Sequence, residues 1–143
     1  MTASPGHYLH SPVTAAYYSN INIVNSTIVG YSGNDPSYDA AVEIKNASTA
    51  NIINSIIWDN PSPSIVLEDS SSVNIINSTI EDNIDGIHMD GEGNSYTYEN
   101  LIITEDPLFV GENNYHLQSE SPFVDMGTAY YEINGEILIN LSE

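Results

Sequence analysis

The fold is decided by the stretch Asn51-Ile-Ile-Asn-Ser-Ile-Ile57, which the chain repeats with small changes. The other copies are Asn22-Ile-Val-Asn-Ser-Thr-Ile28, Asn74-Ile-Ile-Asn-Ser-Thr-Ile80 and the more divergent Thr97-Tyr-Glu-Asn-Leu-Ile-Ile103. The second asparagines of successive copies are 29, 23 and 23 residues apart. Self-similarity at such a period predicts a stacked-repeat protein, in which each copy buries its apolar face on the next.

The repeated stretch has the chemistry of a β-strand. It is rich in Ile, Val and Thr, which fit a pleated, half-buried surface, and its apolar residues alternate with a period of two. The parity changes at the second asparagine, which predicts a corner there. A further apolar segment recurs at residues 41–45, 64–68 and 86–90. Three short strands per repeat predict an all-β parallel β-helix, with about five coils of roughly 23 residues each.

The second asparagines of the copies are the first structural candidates. They are Asn25, Asn54, Asn77 and Asn100. An asparagine side chain can cap backbone groups at a bend and bond to the asparagine stacked on it, so we predict an internal, structural ladder at one corner. Two residues earlier the copies have an inward apolar residue, and in the last copy this is Tyr98. We therefore expect the Tyr98 ring to lie in the core.

Composition limits the possible partners. The 143 residues include 20 acidic ones and only Lys45 as a cation, for a formal net charge of −19. This balance argues against nucleic acid and anionic membranes, which require basic patches. No apolar stretch is long enough for a membrane span. The first residues lack the basic start and apolar run of a signal peptide, and the absence of cysteine leaves the redox compartment open.

The pattern divides the chain into three parts: an N-terminal partial coil or cap (1–20), the β-helix coils (21–105), and a closing segment with a hairpin (106–143). The closing segment contains the stretches Asp106-Pro-Leu-Phe-Val-Gly111 and Tyr115-His-Leu-Gln118. The hairpin is predicted around Asn134-Gly135, a strong turn signal.

Residues 20–127 resemble the pectin-lyase-like right-handed parallel β-helix repeats. The closing segment is similar to the one that ends this helix in secreted bacterial surface proteins of the choice-of-anchor type. The resemblance implies a right-handed helix and an extracellular or cell-surface location, and it makes us expect a fragment of a longer protein. Lyase chemistry, common on that fold, needs a base that is often Lys or Arg, and a single lysine argues against it.

Two sets of acidic residues are candidates for chemistry. Asp90, Glu92 and Asn94 place oxygen donors at alternate residues with glycines between, as in the first half of a calcium loop, so Ca²⁺ is a possible ligand beside the alternative of a mobile acidic turn. Glu43, Glu68 and Asp90 fall on the same strand of successive coils, where either Glu43 or Lys45 would precede Glu68 and Asp90 in an outward row. Two carboxylates at such spacings suit glycoside hydrolysis, and this set is the catalytic candidate.

Aromatic and apolar residues on the outer surface are candidates for binding. Trp58, Tyr31 and Tyr38 are expected to stack on sugar rings or to be packed surface aromatics. Val24, Ile53 and Ile76 form an unexpectedly apolar outward row, which the C-terminal hairpin, a neighbouring domain or another subunit would cover.

These patterns favour a non-catalytic structural or carbohydrate-contacting module, with polysaccharide or neighbouring domains and subunits as partners. The first alternative is a carbohydrate-active enzyme, hydrolase or lyase-like, that uses the carboxylates. The second is a self-assembling spacer, whose exposed ends would stack on each other.

Overall fold

The computed structural model describes residues 11–31, 40–60, 63–100 and 105–141. Tyr38 lies outside these ranges. Within them the strands coil around a shared apolar core. The coil strands, in chain order, are β1 (Val13–Ala15), β2 (Asn20–Val24), β3 (Thr27–Val29), β4 (Val42–Ile44), β5 (Thr49–Ile53), β6 (Ile56–Trp58), β7 (Ile65–Glu68), β8 (Ser72–Ile76), β9 (Thr79–Ile80), β10 (Ile87–Asp90) and β11 (Ser95–Glu99).

Equivalent strands of successive coils pair in parallel and form three sheets. Sheet A has the order β1-β4-β7-β10, sheet B β2-β5-β8-β11 and sheet C β3-β6-β9. The registers align equivalent residues of the copies, as in Ile23↔Ile52↔Ile75. The predicted all-β parallel β-helix with three short strands per coil is therefore confirmed, as are the segments proposed for its third strand. The described residues give three coils with all three strands and a fourth with two.

The core consists of the inward residues of all three sheets. Alternation places β-branched and leucine side chains in stacked rows, where each is covered by its equivalents above and below. The fully buried side chains include Ile44 and Leu67 of sheet A, Ile52 and Ile75 of sheet B, and Ile57 and Ile80 of sheet C.

The corner between sheets B and C is an Asn-Ser pair in each of the first three coils. The four ladder asparagines have φ between 45° and 51°, the left-handed region that asparagine tolerates better than most residues. This conformation turns Asn25 and Asn100 outward into solvent and leaves Asn54 and Asn77 half-buried. The prediction that the asparagine ladder is internal is therefore wrong, because these side chains lie on the outside of the corner.

The inward corner position belongs instead to the serines that follow. Ser55 and Ser78 are buried, and the Ser78 hydroxyl accepts a hydrogen bond from the Ser55 N–H at 3.0 Å. The Ser55 hydroxyl accepts in turn from the Ser26 N–H at 3.2 Å. A small hydroxyl satisfies the backbone amide that leaves the sheet at the bend, which an asparagine pointing outward cannot do.

The segment that follows the coils lies along the flank of the β-helix. We call residues 105–128 the strap; it contains the antiparallel pair β12 (Phe109–Gly111) and β13 (Asn114–Leu117). Tyr115 approaches Gly30 in the first coil, and Phe123 is buried. The strap thus returns from the last coil towards the first.

The chain then forms the predicted hairpin. Strands β14 (Tyr130–Ile133) and β15 (Glu136–Asn140) are antiparallel, and both turn residues, Asn134 and Gly135, have positive φ. Ile139 packs on Ile53 and Ile76. The hairpin is therefore the element that covers the apolar outward row, through Ile139, whereas Ile137 of the same strand is 53% exposed.

The last coil is open at its C-terminal end. Tyr98 is 56% exposed and Met89 is 45% exposed, so the prediction that Tyr98 is in the core is wrong. The reason is that β10 and β11 are the outermost strands of sheets A and B among the described residues, and the strap covers the flank instead of this end.

Candidate functional site

The outer face of sheet B carries a groove. One concavity of about 350 Å³ is lined by Tyr18, Asn20, Asn51, Asn74 and Ile133, among others. A second, of about 290 Å³, shares Asn74 and Ile133 with it and continues past Thr97 and Tyr131. The two concavities therefore form one groove across successive coils, which we call the amide groove. The hairpin forms one wall, and the turn that carries Tyr18 forms the other.

A hydrogen-bonded row of side chains forms the floor of the amide groove. Asn51 donates through Nδ2 to Asn22 Oδ1 at 2.8 Å, and Asn74 donates to Asn51 Oδ1 at 2.8 Å. The Thr97 hydroxyl continues the row by donating to Asn74 Oδ1 at 2.7 Å. Rungs of parallel strands lie about 4.8 Å apart, so the row holds its amide groups at a regular, fixed spacing. Asn51, Asn74 and Thr97 line the groove, although Asn51 is only 2% exposed.

The walls of the groove combine aromatic and apolar side chains, among them Tyr18, Tyr131 and Ile133, with polar ones, and the charge of the groove is low. Tyr18 is 85% exposed. Burial raises the pKa of the Tyr131 hydroxyl, and the nearby Glu99 carboxylate raises it further. Among the described residues of the lining, only Glu99 and Glu136 are charged. Fixed amides beside rings with one polar end suit a ligand rich in hydroxyl groups and without charge.

The asparagine corner holds the strap in place. Asn54 accepts a hydrogen bond from the Thr128 N–H at 2.9 Å and donates to the Thr128 carbonyl at 2.9 Å. It also donates to Asn25 Oδ1 at 3.0 Å. Gly127 lies so close to the Asn54 amide that a Cβ there would approach it to 3.2 Å. Asn54 thus bonds to both backbone groups of Thr128, as a residue of a neighbouring strand would.

The carboxylate candidates fall into two rows on the outer face of sheet A. Glu68 pairs in register with Asp90, whereas Glu43 pairs with Val66. Of the two arrangements predicted for this row, the one that places Glu43 before Glu68 and Asp90 is therefore wrong. One further step of the β4–β7 register places Lys45 beside Glu68, which is the other arrangement that the sequence allowed.

Glu43 and Glu68 have different electrostatic surroundings. Lys45 Nζ lies 2.8 Å from Glu43 Oε1, and the Thr14 hydroxyl donates to Glu43 Oε2 at 3.3 Å. Burial raises the pKa of Glu68, with additional increases from Glu43, Asp90 and Asp69 and a decrease from Lys45. A carboxyl with a raised pKa beside a second carboxylate is the arrangement of a general acid and its partner.

The proposed calcium loop is part of the corner between sheets A and B. Asn94 Oδ1 accepts from the Ser71 N–H at 2.9 Å, and Asn94 Nδ2 donates to the Asp90 carbonyl. The side chain therefore caps the turn, while Asp90 and Glu92 are exposed. Where the structure describes the chain, no three His, Asp or Glu side chains come together as metal ligands. Calcium binding and its alternative, an acidic turn that binds no metal, both stay predictions.

The aromatic candidates lie away from the amide groove. Trp58 ends β6 in sheet C, where it pairs with Val29. The backbone N–H of Tyr31 donates to Asn60 Oδ1 at 3.1 Å. Sequence reasoning assigned no site to the row of Asn22, Asn51 and Asn74. Its signal was available, since these residues stand at the same position of each copy.

Comparisons with known proteins identify the fold family. The family model for a right-handed β-helix region matches residues 5–122, most of the chain. No curated protein and no solved structure gave a match. Among the described residues, no helix is both long enough and apolar enough to cross a membrane. The chain belongs to the right-handed β-helix family.

Proposed function

We propose that this β-helix is a non-catalytic module of an exported protein and contacts neutral carbohydrate through the amide groove. The observation that carries the proposal is the hydrogen-bonded row of Asn22, Asn51, Asn74 and Thr97, of which Asn74 and Thr97 line the groove with accessible surface. Its amides are already held in place, so a ligand would not need to order them on binding.

The charge of the chain indicates which carbohydrates are expected. A net charge of −19 repels uronates and sulfated glycans. A neutral polysaccharide carries no such penalty, and its hydroxyl groups can both donate to and accept from amides. Tyr18 offers an exposed ring on the wall.

The test is affinity electrophoresis in gels containing xylan, mannan or mixed-linkage glucan, with polygalacturonate as the anionic control. We expect retardation by a neutral polysaccharide and none by polygalacturonate. Tyr18→Ala should weaken binding roughly 3- to 10-fold, the effect of losing one aromatic contact. Tyr17→Ala is the matched control, because Tyr17 is 79% exposed on the same turn and does not line the groove. Equal effects of the two variants, or no retardation by any neutral polysaccharide, would refute the proposal.

The row of Glu68 and Asp90 supports glycoside hydrolysis as a second candidate. The raised pKa of Glu68 and its register with Asp90 favour it. Release of reducing ends from a neutral polysaccharide, lost in both Glu68→Gln and Asp90→Asn, would establish this activity. Binding without release would leave the non-catalytic module as the better description.

A further inference from the structure

We propose that the open end of the last coil binds the first coil of a second copy, head to tail, so that sheets A and B continue from one copy into the next. The first reason is apolar exposure. Met89 and Tyr98 occupy core positions of the coil, yet about half of each side chain faces solvent. Tyr96 and Tyr98 stack with centroids 6.4 Å apart on this end. The adjacent edges of β10 and β11 provide backbone groups for further strands.

The second reason is the polarity of the two amide rows. In all five hydrogen bonds along them the later coil donates to the earlier one; the bonds are Asn51 to Asn22, Asn74 to Asn51, Thr97 to Asn74, Asn54 to Asn25 and Asn100 to Asn77. Thr128 fixes the orientation of the Asn54 side-chain amide. The Thr128 N–H must face Asn54 Oδ1, and the Thr128 carbonyl must face Asn54 Nδ2.

This polarity leaves complementary groups at the two ends. The exposed Nδ2 groups of Asn22 and Asn25 have no partner among the described residues, and the same is true of Asn100 Oδ1. Donors at the first coil therefore match an acceptor at the last coil. Contact between two last coils would bring acceptors together.

The third reason is charge. The last coil carries Asp90, Glu92 and Glu99, whereas residues 1–31 contain no charged side chain. Two last coils would repel each other, and a last coil facing a first coil avoids this local repulsion. A head-to-tail contact does not close on itself, so it would extend into filaments.

Sedimentation equilibrium of the whole chain tests the contact. The measurement is made in 1 M NaCl, because the net charge of each copy opposes association and the screening length is then about 3 Å. We expect the weight-average mass to at least double between micromolar and millimolar protein. A variant with Met89→Glu and Tyr98→Glu should stay monomeric. Ile137→Glu, an equally exposed position on the hairpin, is the control and should associate like the unchanged chain.

A second variant tests the direction. Asn22→Asp with Asn25→Asp keeps the oxygens to which Asn51 and Asn54 donate and replaces the two Nδ2 donors by negatively charged acceptors, so the coil should fold normally while the first coil loses its donors. Head-to-tail binding predicts that each variant is monomeric alone and that an equimolar mixture forms heterodimers and stops there. Self-association of the Asn22/Asn25 variant alone, a monomeric unchanged chain at millimolar concentration, or loss of association in Ile137→Glu would overturn the proposal.

Discussion

The third and fourth coils both contribute a strand to sheets A and B and differ in what lies above them. Leu67 and Met89 are register partners, as are Ile75 and Tyr98. The third-coil member of each pair is fully buried, and the fourth-coil member is 45% or 56% exposed. An inward position therefore becomes core only if another coil or segment covers it. In this chain the strap protects the flank and leaves the end open.

The largest expected effect is a difference in stability between equivalent substitutions in the third and fourth coils. Leu67→Ala removes a fully buried side chain, and we expect a loss of about 2–5 kcal/mol in unfolding free energy. Met89→Ala at the paired position should cost less than about 1 kcal/mol, because its side chain already contacts water. Urea unfolding at low protein concentration measures both. Similar losses for the two variants would show that the end is covered in solution.

The next effect compares Asn54 at the strap with Asn100 at the open end. Both have φ near 50° and both donate one bond along the ladder, so Asn54→Ala and Asn100→Ala share those costs. Only Asn54→Ala also removes the two bonds to Thr128. We expect it to be more destabilising by about 1–3 kcal/mol. Equal losses in urea unfolding would mean that these two bonds do not hold the strap.

A smaller effect concerns the carboxylate row that leads to the open end. Burial is the main cause that raises the pKa of Glu68 above its ordinary value of 4.5, and the negative charge of Glu43 is the next. The folded protein therefore binds this proton more tightly than the unfolded chain does. The stabilisation is present below the unfolded pKa and is lost as pH rises through the folded pKa.

Glu68→Gln should therefore raise the unfolding free energy at neutral pH, by less than about 1 kcal/mol because solvent screens a partly exposed carboxylate. The gain should disappear near pH 4, as the wild-type group becomes protonated. Glu120→Gln on the exposed part of the strap controls for the loss of one negative charge. A gain of the same size from both variants would contradict a specific effect at Glu68.

The smallest expected effect is that of calcium on the turn of the last coil. The Asn94 side chain already caps the turn, because it bonds to the Ser71 N–H and to the Asp90 carbonyl. We therefore expect millimolar calcium to leave the thermal midpoint of unfolding unchanged relative to a chelator control. A ligand that binds only the folded state must raise the midpoint. A rise that is lost in Asp90→Asn would instead identify a cation site beside the open end.

The sequence alone determined the repeat, the strands and the corners. These features depend on local physics: alternation with a period of two sets the inward rows, asparagine adopts the left-handed bend, and Asn134-Gly135 makes the hairpin turn. The carboxylate pair of Glu68 and Asp90 also followed from the repeat length, because residues one period apart meet in register.

Only the tertiary structure decided which faces are covered and where the groove lies. Asn54 meets Thr128 across 74 residues of chain, and Ile139 covers Ile53 from the far end of the sequence. The Asn-Ser corner is therefore bonded to the strap through Asn54 in the second coil, whereas its equivalent Asn25 in the first coil is exposed to solvent. Whether a residue is buried depends on contacts with segments that are distant in the sequence. A repeated motif gives no information about those contacts.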